Sequence, residues 1–283
     1  MRAACLRREA MPNLGSMIGP DDTVYLVGGG RMGSALLNGW LAGGLAAQAV
    51  YVQEPQPSEA LQKTGVHLVA DIRPMGPVSV LVLAVKPQIA PNILPSLSGL
   101  IGPDTLVLSL MAGRSLASLR SLCGGEGFYV RSMPNTPAML GKGITALVCD
   151  QEISSTARDR AQALMAAVGK TVWVENEAEI DAVTALSGSG PAYVFLLVEA
   201  MALAGEKLGL SPEVAMALAR ATIIGGGAML EAGSEPAAQL RENVTSPGGT
   251  TAAALSVLMG THGLEQLMTE AMTAARDRAQ ELA

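Results

Sequence analysis

The chain has 283 residues, 49% of them apolar, 16% charged and 3% aromatic, with a formal net charge of −6. Charge this sparse among so many Ala, Val, Leu and Ile residues excludes intrinsic disorder, because burying that surface offsets the entropy of ordering it. Residues 177–283 carry 13 acidic against 5 basic side chains, and the whole chain has two Trp, four Tyr and two Phe on which a base could stack, so no nucleic-acid partner is expected.

The mean hydropathy of +0.34 raises the question of a membrane. Runs of about 18 apolar residues without interruption are absent, so no membrane partner is expected either. The surplus apolar surface is expected at a subunit interface instead. Cys5, Cys123 and Cys149 are odd in number and widely spaced, which fits neither a disulfide framework nor a zinc cluster and points to a reducing cytoplasm. Residues 1–20 hold Arg2, Arg7 and Arg8 but no apolar signal core. They are expected to be a disordered extension, or to precede a start at Met11 or Met17.

From Thr23 a buried strand runs into Gly28–Gly33 and then into a helix over Met32–Leu41. Further strands are predicted at Ala49–Gln53, Val78–Val85, Thr105–Leu110, Phe128–Ser132 and Ile144–Cys149, with helical segments between most of them. This alternation predicts an α/β fold: a Rossmann-like, doubly wound, mostly parallel sheet over 21–175. Beyond Glu177 no strand is predicted, and Ala- and Leu-rich periodic stretches cover 177–210, 212–231, 235–243 and 249–282. Ser211–Pro212 and Ser234–Glu235–Pro236 read as helix starts. An all-α second domain over 176–283 follows.

Gly28-Gly29-Gly30-Arg31-Met32-Gly33 is a G-x-G-x-x-G between strand and helix. Gly28 suits a tight turn, Gly30 close approach of a pyrophosphate and Gly33 helix–strand packing, although a purely structural glycine turn reads the same way. Glu54, at the end of the second strand, is placed to accept hydrogen bonds from a ribose diol and to repel a 2′-phosphate. NADH is therefore the expected preference, with Arg31 or Ser58 as the residues that would serve NADPH. The strand ends Ala84-Val85-Lys86-Pro87 and Met111-Ala112-Gly113 should open on the same sheet edge. Lys86 reads equally as a catalytic, a ribose-neighbouring or a solvated residue.

Arg131–Pro137 and Leu186–Tyr193 read either as functional segments or as plain turns. Ser246-Pro247-Gly248-Gly249-Thr250-Thr251 enters a helix, and its amides form an anion nest suited to a small carboxylate, or simply an ordinary capped helix. His67 and His262 lack triad or metal-ligand partners, and His262 reads as a loop residue. Hydride transfer without an obvious acid points to a substrate that already carries its proton.

Taken in order, G-G-G-R-M-G, A-V-K-P, S-L-M-A-G, R-S-M-P-N-T-P-A, A-L-S-G-S-G-P-A-Y-V-F and V-T-S-P-G-G-T-T resemble the pyrroline-5-carboxylate reductases over about residues 23–280. The resemblance implies reduction of 1-pyrroline-5-carboxylate to L-proline with NADPH or NADH, and a helical domain that binds substrate and pairs two subunits, with decamers built from dimers in some members. It assigns cofactor contacts to Val27, Gly28, Gly29, Gly30, Arg31 and Met32, to Ala84, Val85, Lys86 and Pro87, to Met111, Ala112 and Gly113, and to Glu177 and Asn243. Carboxylate contacts fall on Ser246, Gly248, Gly249, Thr250 and Thr251, with the Thr251 hydroxyl near the ring nitrogen as the catalytic group. Departures are the absence of a Ser/Arg cluster after the second strand, Ile72 where an adenosine-contacting Asn is common, and Met259 at a usually polar position. Competing readings are a related β-hydroxyacid or imine reductase of the same architecture, disfavoured by the lack of lysine in Ser187–Val198, and a dinucleotide sensor without turnover.

Overall fold

Short runs of Val, Leu and Tyr, apolar on both faces, build the centre of a parallel sheet whose two sides are covered by helices. In the computed structural model, which describes residues 13–73, 75–149 and 153–281, the strands are β1 Val24–Val27, β2 Val50–Gln53, β3 His67–Val69, β4 Val80–Leu83, β5 Leu106–Ser109, β6 Phe128–Pro134, β7 Gly143–Val148 and β8 Gly169–Trp173. Their order is β3-β2-β1-β4-β5-β6-β7-β8, with β6 and β7 antiparallel and every other neighbouring pair parallel. The direction of winding reverses between β1 and β4, and a doubly wound sheet opens its ligand crevice at such a point.

The first unit's helices are α1 Leu14–Met17, α2 Arg31–Ala42, α3 Glu59–Gln62, α4 Ala90–Ile93, α5 Leu116–Cys123, α6 Ser155–Ala166 and α7 Glu179–Val183. Alternate residues of each strand face opposite layers. Val24, Leu26, Val80 and Val82 pack with Leu36, Leu37 and Trp40 of α2 and Leu164 of α6. Tyr25, Val27, Leu81 and Leu83 pack with Leu94, Leu97 and the α5 residues Leu116 and Leu119. The Trp40 indole N–H donates to the Leu164 carbonyl at 2.8 Å, joining α2 to α6 without an orphaned donor.

Four features differ from the sequence-based expectations. Strands β3 and β8 escape prediction because one is a three-residue edge strand and the other alternates half-buried with exposed residues, so neither carries a strong apolar signature. Residues 13–20 of the expected disordered extension are ordered: Leu14 and Ile18 are buried, and the Arg160 guanidinium donates to the Met17 carbonyl. Residues 1–12 lie outside the described residues. The predicted break near 175/176 contrasts with a division of the chain into Met1–Gly188 with Arg276–Ala283, and Ser189–Ala275. The first unit reaches Gly188 because Ile180 and Ala185 are buried, carrying α7 and a π-helical turn over Thr184–Gly188 with them.

The ordered N-terminal segment hangs on Asp22, which accepts from the Gly19 amide at 2.9 Å and from Arg160 at 2.6 Å. Burial works against this carboxylate, but hydrogen bonds from Ser79 and Gly19 and the charge of Arg160 hold its pKa below the ordinary 3.8. A lowered folded pKa stabilises above the unfolded value, and that contribution is lost as pH falls through the folded one. Asp22→Ala is expected to cost about 1 kcal/mol at neutral pH, after allowance for solvent screening of a half-buried pair. Denaturant unfolding of both proteins should show the difference shrinking as pH drops below 3.8.

The second unit contains α8 Gly190–Lys207, α9 Pro212–Ala232, α10 Ala237–Asn243, α11 Thr250–Leu258 and the greater part of α12 Leu264–Glu281. Ser211 caps α9 by accepting from the Val214 amide, as its sequence position predicts. Pro236 precedes α10, without a side-chain cap from Ser234. The stretch 249–282 is two helices, because a turn over Gly260–Gly263 interrupts it and places His262 in the connection. Helices α8 and α9 meet through small residues: Ala202, Ala215 and Ala219 are the buried hydrophobics of Ser189–Ala275 among the described residues.

Candidate active site

The end of β1 turns sharply at Gly28, whose φ of +103° suits glycine and whose amide donates to the Gln53 carbonyl at 2.9 Å. A side chain at Gly28 would press into the Ala84 carbonyl, and one at Gly33 would collide with the carbonyl of Gly28. The space above Gly30 is open, with nothing within 4 Å of where a Cβ would stand. Helix α2 starts there with no side-chain cap, so its first-turn amides are available to an anion. Val27, Gly28, Gly29, Gly30, Arg31, Met32 and Gly33 therefore form a cradle that fits a pyrophosphate.

Glu54 is built into this cradle. One of its oxygens accepts from the Gly29 amide at 2.9 Å and the other from the Gln56 amide at 3.2 Å. A Cβ on Gly29 would crowd the Glu54 side chain, so loop and carboxylate form one rigid unit. Beside it, the Ala84 amide donates to the Val27 carbonyl at 2.8 Å and the Leu110 amide to Leu83 at 2.9 Å. Ala84–Pro87 and Met111–Gly113 thus emerge at the same carboxyl edge as the glycine turn, with the Lys86 side chain exposed. Arg114 joins these two loops by donating to the Pro87 carbonyl at 3.3 Å.

Glu177, assigned by resemblance to the cofactor, lies just before α7. Its Oε1 accepts from Arg131 at 2.6 Å and from the Leu116 amide at 2.7 Å. The partners of Glu177 are not legible from local pattern, but one signal was available: Arg131 is a single charge in the otherwise apolar strand Phe128–Met133, and it is buried. Such a residue requires an anionic or carbonyl partner.

In the second unit, Ser246, Gly248, Gly249, Thr250 and Thr251 form the turn that enters α11. Gly248 adopts φ +69°. The Gly249 amide donates to the Ser246 carbonyl at 3.0 Å, which corrects the expected nest: the free donors are the first-turn amides of α11 from Thr250 onward, where no side chain caps the helix. Thr184, Thr245 and Thr269 each donate a hydroxyl to the carbonyl four residues back. Among the described residues, the Thr251 hydroxyl makes no such bond. Asn243 ends α10, its side-chain oxygen accepting from Gln239 at 2.9 Å.

A pyrophosphate cradle at the switch point of a doubly wound sheet, with an acidic group at the end of the second strand, marks the first unit as a dinucleotide-binding domain of the Rossmann-like class. Known proteins narrow this. The family described as NADP oxidoreductase coenzyme F420-dependent matches residues 23–113, and that described as pyrroline-5-carboxylate reductase dimerisation matches 177–282. The pyrroline-5-carboxylate reductase of Pseudomonas aeruginosa is 38% identical, covering 92% of this chain and 96% of that protein. That of a Synechocystis species is 40% identical over 91% and 97% respectively. The solved structure of the Coxiella burnetii pyrroline-5-carboxylate reductase superposes with a TM-score of 0.86 at 35% identity, covering 93% of this chain and 98% of that one. The chain belongs to the pyrroline-5-carboxylate reductases.

Proposed function

We propose that the chain reduces 1-pyrroline-5-carboxylate to L-proline with NAD(P)H, the closing step of proline synthesis. The observation that carries this reading is the pairing, in one chain, of an open dinucleotide cradle with an uncapped α11 start beside the free Thr251 hydroxyl. When bound, the cofactor supplies the hydride for the imine carbon. The α11 amides from Thr250 onward, with Ser246 and Gly248 shaping the turn, hold the substrate carboxylate. Thr251 orients the ring nitrogen. A protonated imine brings its own proton, so no histidine is required at the site. Consumption of NADH on addition of the cyclic imine, with proline as product, tests the activity; binding of NADH without turnover would favour a sensor.

NADH is the proposed preferred cofactor. Glu54 is fixed by two amides, retains lone pairs for a ribose diol, and would set a negative charge against a 2′-phosphate. NADH should exceed NADPH in kcat/KM by about tenfold or more, and Glu54→Ser should shrink that ratio by a similar factor. Initial rates with both cofactors check this. A wild-type preference for NADPH would refute it and transfer the ribose contact to Arg31 or Ser58.

A second copy of the chain is the proposed cover for the helical unit. Phe195, Leu196, Leu203, Ile224, Val257 and Leu267 are exposed large hydrophobics in it. Residues 179–207 and helix α9 are long and apolar enough to cross a membrane by length and composition, with 6% and 11% of their apolar windows buried. The match of 177–282 to a dimerisation family favours subunit pairing over membrane insertion. Five such dimers would form the decamer implied by the resemblance, and light scattering separates the two assemblies. A cytoplasmic location is proposed from the odd number and wide spacing of the cysteines, which suit a reducing compartment. Burial pushes the Cys123 thiol up to about 11, leaving it unreactive.

A further inference from the structure

The glycine cradle at the end of β1 divides the carboxyl edge of the sheet into two halves. Ala84–Pro87 and Met111–Gly113 follow β4 and β5 on one side, while Glu54 and Ala70–Arg73 follow β2 and β3 on the other. A dinucleotide held at its pyrophosphate lays one nucleoside in each half, and Glu54 marks the β2–β3 half as that of the adenosine. Ala70–Arg73 starts beside Glu54, whose amide donates to the Val69 carbonyl at 3.0 Å.

This segment has no turn to hold it. Among the described residues, no backbone–backbone hydrogen bond involves Ala70–Arg73, and Ala70, Asp71 and Arg73 are exposed. Two side chains from inside the sheet reach it instead. The Gln53 carboxamide, on the last residue of β2, donates to the Ala70 carbonyl at 3.1 Å, and the Tyr25 hydroxyl, on β1, accepts from the Arg73 amide at 3.4 Å. The chain therefore leaves β3 and crosses β2 toward β1, with Ile72 packed on the layer that holds Tyr25 and Val27.

Gln53 is 8% exposed and Tyr25 0%. An amide buried at the end of Val50–Val52 costs desolvation that an apolar residue would not. The backbone groups at the other end of these bonds belong to exposed residues, so water can satisfy them. What the two bonds add is a fixed path for the segment.

We propose that Gln53 and Tyr25 are positioning residues that hold Ala70–Arg73 as the wall of the adenosine half of the cofactor site. They act through the backbone of the segment, without touching cofactor or substrate. The inference rests on the reading of the glycine cradle and Glu54 as the dinucleotide site.

Gln53→Met and Tyr25→Phe remove the bonding atoms and keep most of the packing. ADP-ribose, which carries the adenosine and both phosphates but no nicotinamide, is titrated by calorimetry beside NADH. Each single variant should weaken both ligands by about threefold and the double variant by about tenfold. The kcat at saturating NADH and the KM of the imine should stay within about twofold of wild type, a split that general loss of structure would not give. Melting temperatures report stability separately, and the single variants serve if the double one fails to fold. Unchanged ADP-ribose affinity in the folded variants overturns the proposal. So does a loss of NADH affinity that ADP-ribose does not share, which would move the effect to the nicotinamide half. Wild-type protein that binds neither ligand removes the dinucleotide reading itself, whereas wild-type binding of both, matched by the double variant, sinks this proposal alone.

Discussion

Thr251→Ala should lower kcat/KM for the imine by about a hundredfold, the scale on which loss of one positioned donor slows reactions that develop charge at a fixed atom. The residue sits on the second position of α11, where its backbone follows the helix, and unlike Thr245 its hydroxyl is bonded to no carbonyl four residues back among the described residues. The orientation of that hydroxyl is thus open to the substrate. Deleting it leaves the helix start and its amides in place, so the KM for imine should change less than kcat. Lys86→Ala supplies the contrast. Its side chain is exposed at the end of the β4 edge, and its loss should cost about threefold or less. Steady-state kinetics on both variants, with NADH affinity measured alongside, decides the matter: an unimpaired Thr251→Ala enzyme removes Thr251 from the mechanism.

Charges placed on the apolar helix faces should have an effect of comparable size by another route. Phe195 on α8 and Ile224 on α9 are 64% and 69% exposed, while the buried hydrophobics of Ser189–Ala275 are three alanines. A unit with so small a core gains little from internal burial. Each large apolar side chain covered by a partner contributes about 1.5–3 kcal/mol. Glu at both positions would instead force two carboxylates into that cover, each at a desolvation cost of several kcal/mol. The Phe195→Glu, Ile224→Glu double variant is expected to sediment as a monomer, to melt at lower temperature and to lose about 90% or more of its activity. A stable, fully active monomer would show that the helical unit stands alone and that these faces have another occupant.

Legibility followed the range of the interactions. The glycine cradle was readable because Gly28, Gly30 and Gly33 act within six residues, and the α9 start because Ser211 reaches only to Val214. Glu54 was placed by its offset from the glycines, but not its bond to the Gly29 amide, 25 residues away. Arg131 could be flagged as a charge in an apolar strand. Its partner 46 residues on could not be named, since nothing local to either residue encodes the other.

By itself the amino-acid sequence determined the α/β sheet followed by helices, the family, the reaction class and the two loops that leave the carboxyl edge of the sheet, because each is written in short-range patterns of glycine, strand and helix. Only the tertiary structure decided that residues 13–20 join the core, that β3 and β8 complete the sheet, that the first unit extends to Gly188, and that the Gly249 amide is taken by the Ser246 carbonyl while the start of α11 has no side-chain cap. Each of those depends on a partner supplied from elsewhere in the chain or on one hydrogen bond within a turn. The excess apolar surface belongs to both: composition revealed it, and folding concentrated it on the helices of Ser189–Ala275, where their own packing buries only small side chains.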